Sequence, residues 1–178
     1  MSNPYDGPRQ PGRVGYPFPG VEVRLGEQDE VLLKGGQVFQ GYWRNPKATE
    51  EAFTADGFFR TGDVGEIGDD GTLAIRGRIK ELIITGGFNV YPREVELVLE
   101  THPAVGEVAV TGVPSEQWGE EVTAFVVPSG AQAMDEREII AFARERLATY
   151  KCPRRVVVLD KLPRNAMGKI ERKKLATQ

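Results

Sequence analysis

Lys169 lies in Asn165-Ala166-Met167-Gly168-Lys169-Ile170, a glycine-flanked turn that lets a compact ammonium on a flexible stem reach outward. Such a cation can neutralise a carboxylate and a phosphate together, lowering the cost of bringing two anions into reacting distance. The plainer reading is an inert lysine near the C-terminus. Asp63 follows a glycine turn in Phe59-Arg60-Thr61-Gly62-Asp63 and precedes an expected strand. Its acceptor-only oxygens match the two donors of a vicinal diol such as a ribose, and a carboxylate in a turn equally caps its own backbone. Arg78 closes a strand and offers a planar fork of donors to phosphate or ribose oxygens, or is a solvated surface arginine. Lys80 can stay hydrated while its backbone dihedrals change, as a hinge requires, or is an ordinary exposed lysine. Gly86 and Gly87 permit positive φ and close approach of the narrow arm of a cofactor, or make a plain hairpin turn.

Several other chemically capable residues point less clearly. Arg164, Arg172, Lys173 and Lys174 surround Lys169 as an anion-binding patch or as a basic helix end complementing the helix dipole. Trp43 and Trp118 read as packing residues, with Trp118 also able to lie over a planar ligand. Cys152 and His102 lack partners for nucleophilic catalysis and carry no role.

The elements that must position these groups fall into two halves. The first twenty residues hold five of the 12 prolines and four of the 21 glycines, an extended strip that suits crossing the surface of something already folded. From Val21 to Ile79 short strands alternate with turns: VEVRL, EVLLKG, a brief helix at Pro46 to Phe53, then VGEI and TLAIRG joined at Asp69-Asp70-Gly71. From Tyr91 the segments lengthen. Pro92 opens a helix with Val95, Val98 and Leu99 at helical spacing. Strands GEVAVTGV and EEVTAFVV follow. Asp135 then caps a helix, with Glu138 three residues on, running to Leu147, and RRVVVLD is a third strand. The fold class is α+β, a mostly-β first part over residues 1–79 and a small α+β domain over 80–178, with the boundary at Ile79 to Lys80.

Composition bounds the function. A chain of 178 residues with 40% hydrophobic residues can bury a core. Its 23 Lys+Arg against 26 Asp+Glu argue against a nucleic-acid partner, whose binding rests on phosphate neutralisation. The opening residues contain no apolar run of signal length, so neither targeting nor membrane insertion is expected, and a reducing, cytoplasmic setting is the default. One cysteine and one histidine leave no internal disulfide and no Cys/His metal set.

Taken in order, GYWRNPKATEEAF, GFFRTGDVG, GRIKELIITGGFNVYPREVE, GVPSEQWGEEVTAFVV and LPRNAMGKIERKKL form a series that resembles the adenylate-forming acyl-CoA synthetases. The resemblance runs through nearly the whole chain. NVYPREVE is similar to acyl- and aryl-CoA ligases rather than peptide-synthetase adenylation domains. The opening SNPYDGPRQPGRVGYPFPGVEVRL with ITGGFNVYP resembles the malonyl-CoA synthetase branch.

The resemblance implies a part of an ATP- and CoA-using ligase that adenylates a small carboxylic acid and passes the acyl group to CoA. Residues 1–79 would be the end of the large AMP-binding lobe and 80–178 the small mobile domain. Asp63 would hold the ATP ribose, Arg78 the ribose or phosphates, and Lys80 the hinge. Gly86 and Gly87 would line the pantetheine tunnel, and Lys169 would orient the acid against the α-phosphate. The family's Ser/Thr/Gly-rich phosphate loop and its Tyr-Gly-x-Thr-Glu segment are absent, and with them the residues that support Mg²⁺ and most of the acid pocket. The connection from Gly26 to Glu30 is short beside members that carry an extra hairpin there. The chain alone is therefore expected to be inactive and to need the missing N-terminal large lobe. A stand-alone nucleotide- or CoA-binding module and a non-catalytic interaction domain are the other two readings, and malonate stands beside medium- or long-chain and aryl acids. Exposure of Val21, Val23, Leu32, Phe58 and Phe59 is expected where that lobe would pack.

Overall fold

The computed structural model describes residues 1–3, 6–7, 9–10, 12–130 and 134–177. The chain forms two compact units, Met1–Lys80 and Glu81–Gln178. Its mixed sheets and few helices make an α+β fold. Among the described residues, no helix is long and apolar enough to cross a membrane.

The first unit is an antiparallel sheet in sequential order: β1 (Val21–Leu25), β2 (Glu30–Gly35), β3 (Phe59–Ile67) and β4 (Leu73–Arg78). One short helix, α1 (Pro46–Ala52), interrupts it. Asn45 starts α1 by accepting from the Ala48 N–H at 3.1 Å, and Pro46 occupies the first turn, where its missing donor costs nothing. The proline-rich opening lies along β4, with the Val14 N–H donating to Leu73 O at 2.8 Å and the Leu73 N–H to Gly15 O at 3.0 Å.

Two expectations for this unit need correction. Asp63 sits inside β3 rather than ahead of a strand. Leu32 and Phe58, expected on an exposed surface, are 3% and 7% accessible. Leu32 is on an inner strand of the sheet, and Phe58 is covered by the Arg24 guanidinium 4.0 Å above its ring. Long cationic side chains bury their stems on apolar surface and so hide a ring that its own strand leaves open. Val21, Val23 and Phe59 are half-buried.

The second unit is built around β8 (Gly119–Pro128), which pairs antiparallel with β7 (Val105–Ser115) along its length and parallel with β9 (Arg155–Val158) on the other side. A small hairpin, β5 (Ile83–Thr85) and β6 (Phe88–Val90), joins β8 through Thr85 and Gly119. Period-two alternation splits the strands between two cores. Val108, Val110, Val122, Ala124 and Val126 face α2 (Pro92–Leu99) and α3 (Glu136–Arg144), meeting Val95, Leu99, Ile139 and Ala143. Ala109 and Phe125 face the opposite way, onto Leu162 and Leu175. Burial on both faces explains why VTAFVV reads as an unbroken apolar run. Each such fully buried side chain contributes roughly 1.5–3 kcal/mol.

The capping expectation for α3 holds in part. Asp135 accepts from the Arg137 N–H at 2.9 Å, but Glu138 reaches His102 Nε2 at 3.8 Å instead of returning to the cap. The helix ends at Arg144, before Leu147, because Arg146 N–H turns back to Ala143 O and the chain then extends at Ala148. Cys152 is 4% accessible, and burial pushes its thiol up from the ordinary value. Thiol reagents at neutral pH are expected to modify it at least about tenfold faster in urea than in the folded chain; equal rates would show that the α3–β9 region opens freely.

Candidate functional site

Asp63 and Arg78 are directly opposite on β3 and β4, and Arg78 Nε meets Asp63 Oδ1 at 2.7 Å. Register puts them together. The β3–β4 ladder shifts between Val64 and Gly65, which re-aims the residues before it. Glu30, 6% accessible, props the same bend from below. Its carboxylate accepts from the Gly62 N–H and from Arg60, each at 3.1 Å, while Thr61 Oγ donates to Val31 O at 2.7 Å and accepts from the Asp63 N–H at 3.0 Å. Gly62 takes φ +69°, a conformation that a side chain would strain. Asp63 is therefore neither capping its own turn nor alone: one carboxylate oxygen is held by Arg78. Among the described residues, the terminal nitrogens of Arg78 carry no bond and its side chain is 62% accessible.

An open cleft of about 480 Å³ runs beside this pair, lined by Glu30, Tyr42, Phe59, Arg60, Arg78 and Lys80 among others. A larger depression of about 750 Å³ between Gln40 and Glu50 holds none of the candidate residues. Lys80 ends the first unit within a 3-10 turn, Ile79–Glu81, with its side chain exposed.

Gly86 and Gly87 form the two-residue turn of the β5–β6 hairpin, with φ +56° and +82°. Successive positive φ values are what a tight hairpin needs if its strands are to keep their twist. The two glycines differ in surroundings. A Cβ on Gly86 would meet Trp118 Cε3 at 3.0 Å, whereas one on Gly87 would meet nothing within 4 Å. The Gly86 N–H donates to Trp118 O at 2.9 Å, and the Arg154 guanidinium lies 3.8 Å from the indole centroid. Trp118 thus backs the turn, with Arg154 over its ring. Phe88 stacks on Tyr150 at 4.7 Å beside it.

Lys169 closes a turn that satisfies its own backbone. Asn165 Oδ1 accepts from the Met167 N–H at 2.9 Å and the Lys169 N–H at 3.0 Å, while the Asn165 N–H donates to Lys169 O at 2.8 Å. Gly168 takes φ +78°, and its carbonyl accepts from Arg164 at 2.8 Å. The Lys169 side chain is exposed, and among the described residues its ammonium has no partner. Most of the basic cluster is paired rather than open to an anion, although Arg172, Lys173 and Lys174 do lie in the last turn of their helix and Lys173 is exposed. Arg164 pairs with Glu107 at 2.6 Å, Lys174 with Glu171 at 2.5 Å, and Arg172 turns inward to Glu96 at 2.5 Å. Glu30, Glu96 and Asn165 were missed as supports. Only Asn165 carried a sequence signal, an amide three residues ahead of a glycine.

Comparison with known proteins gives this geometry a context. Residues 94–169 match the model of the AMP-binding enzyme C-terminal domain. The chain is 38% identical over 193 residues to malonate–CoA ligase of Arabidopsis thaliana, covering 98% of this chain and 32% of that protein. It is 48% identical over 149 residues to 2-succinylbenzoate–CoA ligase of Geobacillus kaustophilus, covering 84% and 30%. Among solved structures, ATP-bound MatB from Rhodopseudomonas palustris superposes with a TM-score of 0.90 at 44% identity, covering 98% of this chain and 37% of that one. The chain spans about a third of the length of the curated relatives it matches. Sequence series, fold and matched domain agree: residues 94–169 carry the C-terminal domain of AMP-binding enzymes, and nearly the whole chain is similar to the C-terminal part of acyl-CoA ligases.

Proposed function

We propose that this chain serves an AMP-forming acid–thiol ligase together with a large ATP-binding lobe, Lys169 acting in the first half-reaction and the Gly86-Gly87 turn in the second. Residues 1–80 contribute to the ATP site and residues 81–178 are the mobile domain, with Lys80 at the pivot. The observation that carries the reading is the Lys169 ammonium, without a partner on a turn whose shape its own hydrogen bonds hold. A cation so presented adds charge where an acid's carboxylate must approach the α-phosphorus of ATP, from a turn whose backbone needs no rearrangement. The carboxylate attacks, pyrophosphate leaves, and the CoA thiol then displaces AMP from the acyl carbon.

The residues present fit both substrates. Asp63 keeps an oxygen for a ribose diol beside the unbonded donors of Arg78. A Cβ on Gly87 would meet nothing within 4 Å, so a narrow arm could approach the backbone there, while Trp118 walls the other side of the turn. Mg²⁺ would be held by residues outside this chain; among the described residues no group of three or more His, Cys, Asp or Glu is placed to hold a metal. Malonate is the acid we favour, supported by the opening strip, the ITGGFNVYP segment and the likeness to malonate–CoA ligase.

Pyrophosphate exchange tests the reading. Exchange with ATP and malonate is expected only when the chain is supplied with a large lobe. Exchange by the chain alone would overturn the division of labour, and exchange driven better by a fatty or aryl acid would overturn the substrate. Asp63→Asn is expected to weaken ATP binding roughly 10- to 100-fold by removing charge-assisted hydrogen bonds. Fold stability should shift by less than about 1 kcal/mol, because its ion pair with Arg78 is solvent-exposed. Titration of ATP and urea unfolding separate the two effects.

A further inference from the structure

We propose that Arg172, held by Glu96, is a positioning residue for Lys169 and so sets the rate of adenylation without touching substrate; the inference rests on the reading of Lys169 given above. The hydrogen bonds of Asn165 fix the shape of the lysine turn but not its place on the domain. Place requires tethers on both sides. On the N-terminal side, Leu162 is buried in the second core and Arg164 pairs with Glu107 of β7. On the C-terminal side the chain enters α4 (Arg172–Leu175), a single helical turn too short to hold itself by helix cooperativity, whose Leu175 is buried in the second core with Ile170 packed against that core.

Arg172 adds the directional tether that apolar packing at Leu175 does not supply. Its guanidinium donates to Glu96 Oε1 at 2.5 Å, Glu96 Oε2 at 3.3 Å and Val110 O at 2.8 Å, and its Nε lies 3.4 Å from Glu81. Glu96 is 3% accessible and also accepts from the Val110 N–H at 2.8 Å. Arg172 thereby locks α4 to α2 and β7, three residues beyond Lys169, and to Glu81, the residue after Lys80. Buried ion pairs of this kind are poor sources of stability, since well-packed apolar residues do as well, but their rigid geometry specifies position. The planar fork is the operative feature: an ammonium cannot make two parallel bonds to Glu96 and one to Val110 together.

The test is run on the assembled enzyme, this chain with its large lobe, and measures the half-reactions separately. Pyrophosphate exchange reports adenylation, and thioester formation from preformed acyl-adenylate and CoA reports the second step. Arg172→Lys keeps the charge and loses the fork; a double Glu96→Gln, Arg172→Met variant removes both charges while the Gln oxygen can still accept from the Val110 N–H, and so guards against simple misfolding. Each is expected to slow exchange roughly 10- to 100-fold at saturating ATP and acid, as a lysine displaced by about an ångström would, and to leave thioester formation within about threefold. Parallel loss of both half-reactions in both variants, or exchange at the parent rate, would overturn the inference. Lys169→Ala is measured alongside. Unchanged exchange in that variant would sink the reading of the lysine itself, whereas lost exchange there with unchanged exchange in Arg172→Lys would sink only the role of Arg172.

Discussion

Lys169→Ala is expected to reduce acid-dependent pyrophosphate exchange by about 10²–10³-fold, the loss typical of removing one preorganised charge or donor from a developing anion. The side chain is exposed and, among the described residues, unpartnered, so its removal leaves no cavity and no orphaned group. Thermal or urea unfolding should therefore match the parent within about 0.5 kcal/mol. Thioester formation from preformed acyl-adenylate should persist, because the acid has already been joined to phosphate when that step begins. Lys169→Arg is not a conservative rescue: a planar guanidinium is larger and held by a different geometry, so exchange is expected to stay low. Loss of both half-reactions would mean that the lysine is structural. Retention of both would remove it from the site.

Gly86→Val is expected to give the reverse pattern, with thioester formation slowed on the order of 10²-fold and exchange nearly unchanged. Two physical effects act at this one position. A β-branched residue at φ +56° is a conformational outlier, costing at least about 1–2 kcal/mol. Its Cβ would also meet Trp118 Cε3 at 3.0 Å, and Trp118 cannot yield easily with its carbonyl bonded to the Gly86 N–H and Arg154 against its ring. The β5–β6 hairpin must shift instead, which moves the Gly87 side of the turn. Gly87→Ala is the milder companion, strained by φ +82° but with open space for its methyl. Separate rates for the two half-reactions decide the matter: equal thioester rates in Gly86→Val and parent would show that the turn lines no substrate path.

Opposite effects at Lys169 and Gly86 would be the signature of one domain presenting two faces in turn. Both residues lie in the second unit, in turns whose shape is local. That locality explains why they were legible. A Gly-Gly pair between short apolar strands and an Asn-x-x-Gly-Lys run each encode a turn within five or six residues. The same holds for Asn45-Pro46 at the start of α1 and Asp135 at the start of α3.

Groups whose meaning depends on a distant neighbour were read less well. The glycine turn predicts Asp63 ahead of a strand; the backbone instead carries φ +69° inside β3, which glycine adopts without strain and which buried Glu30 holds by accepting the Gly62 N–H. Phe58 is expected to be exposed where a large lobe would pack, yet Arg24, 34 positions away, covers its ring. Arg172 looked like one member of a basic run, yet its partner Glu96 lies 76 positions away on another helix.

By itself, then, the amino-acid sequence determined the likeness to acyl-CoA ligases, the α+β class, most strand and helix segments and the chemically capable turns, because periodicity, caps and glycine conformations act over a few residues. Only the tertiary structure decided which charges are spent on each other and which stay available. Arg164, Arg172 and Lys174 are taken up by carboxylates, while Lys169 and Lys173 among them are left exposed. Pairing of charges depends on register and packing between elements far apart in the chain, and no local pattern encodes it.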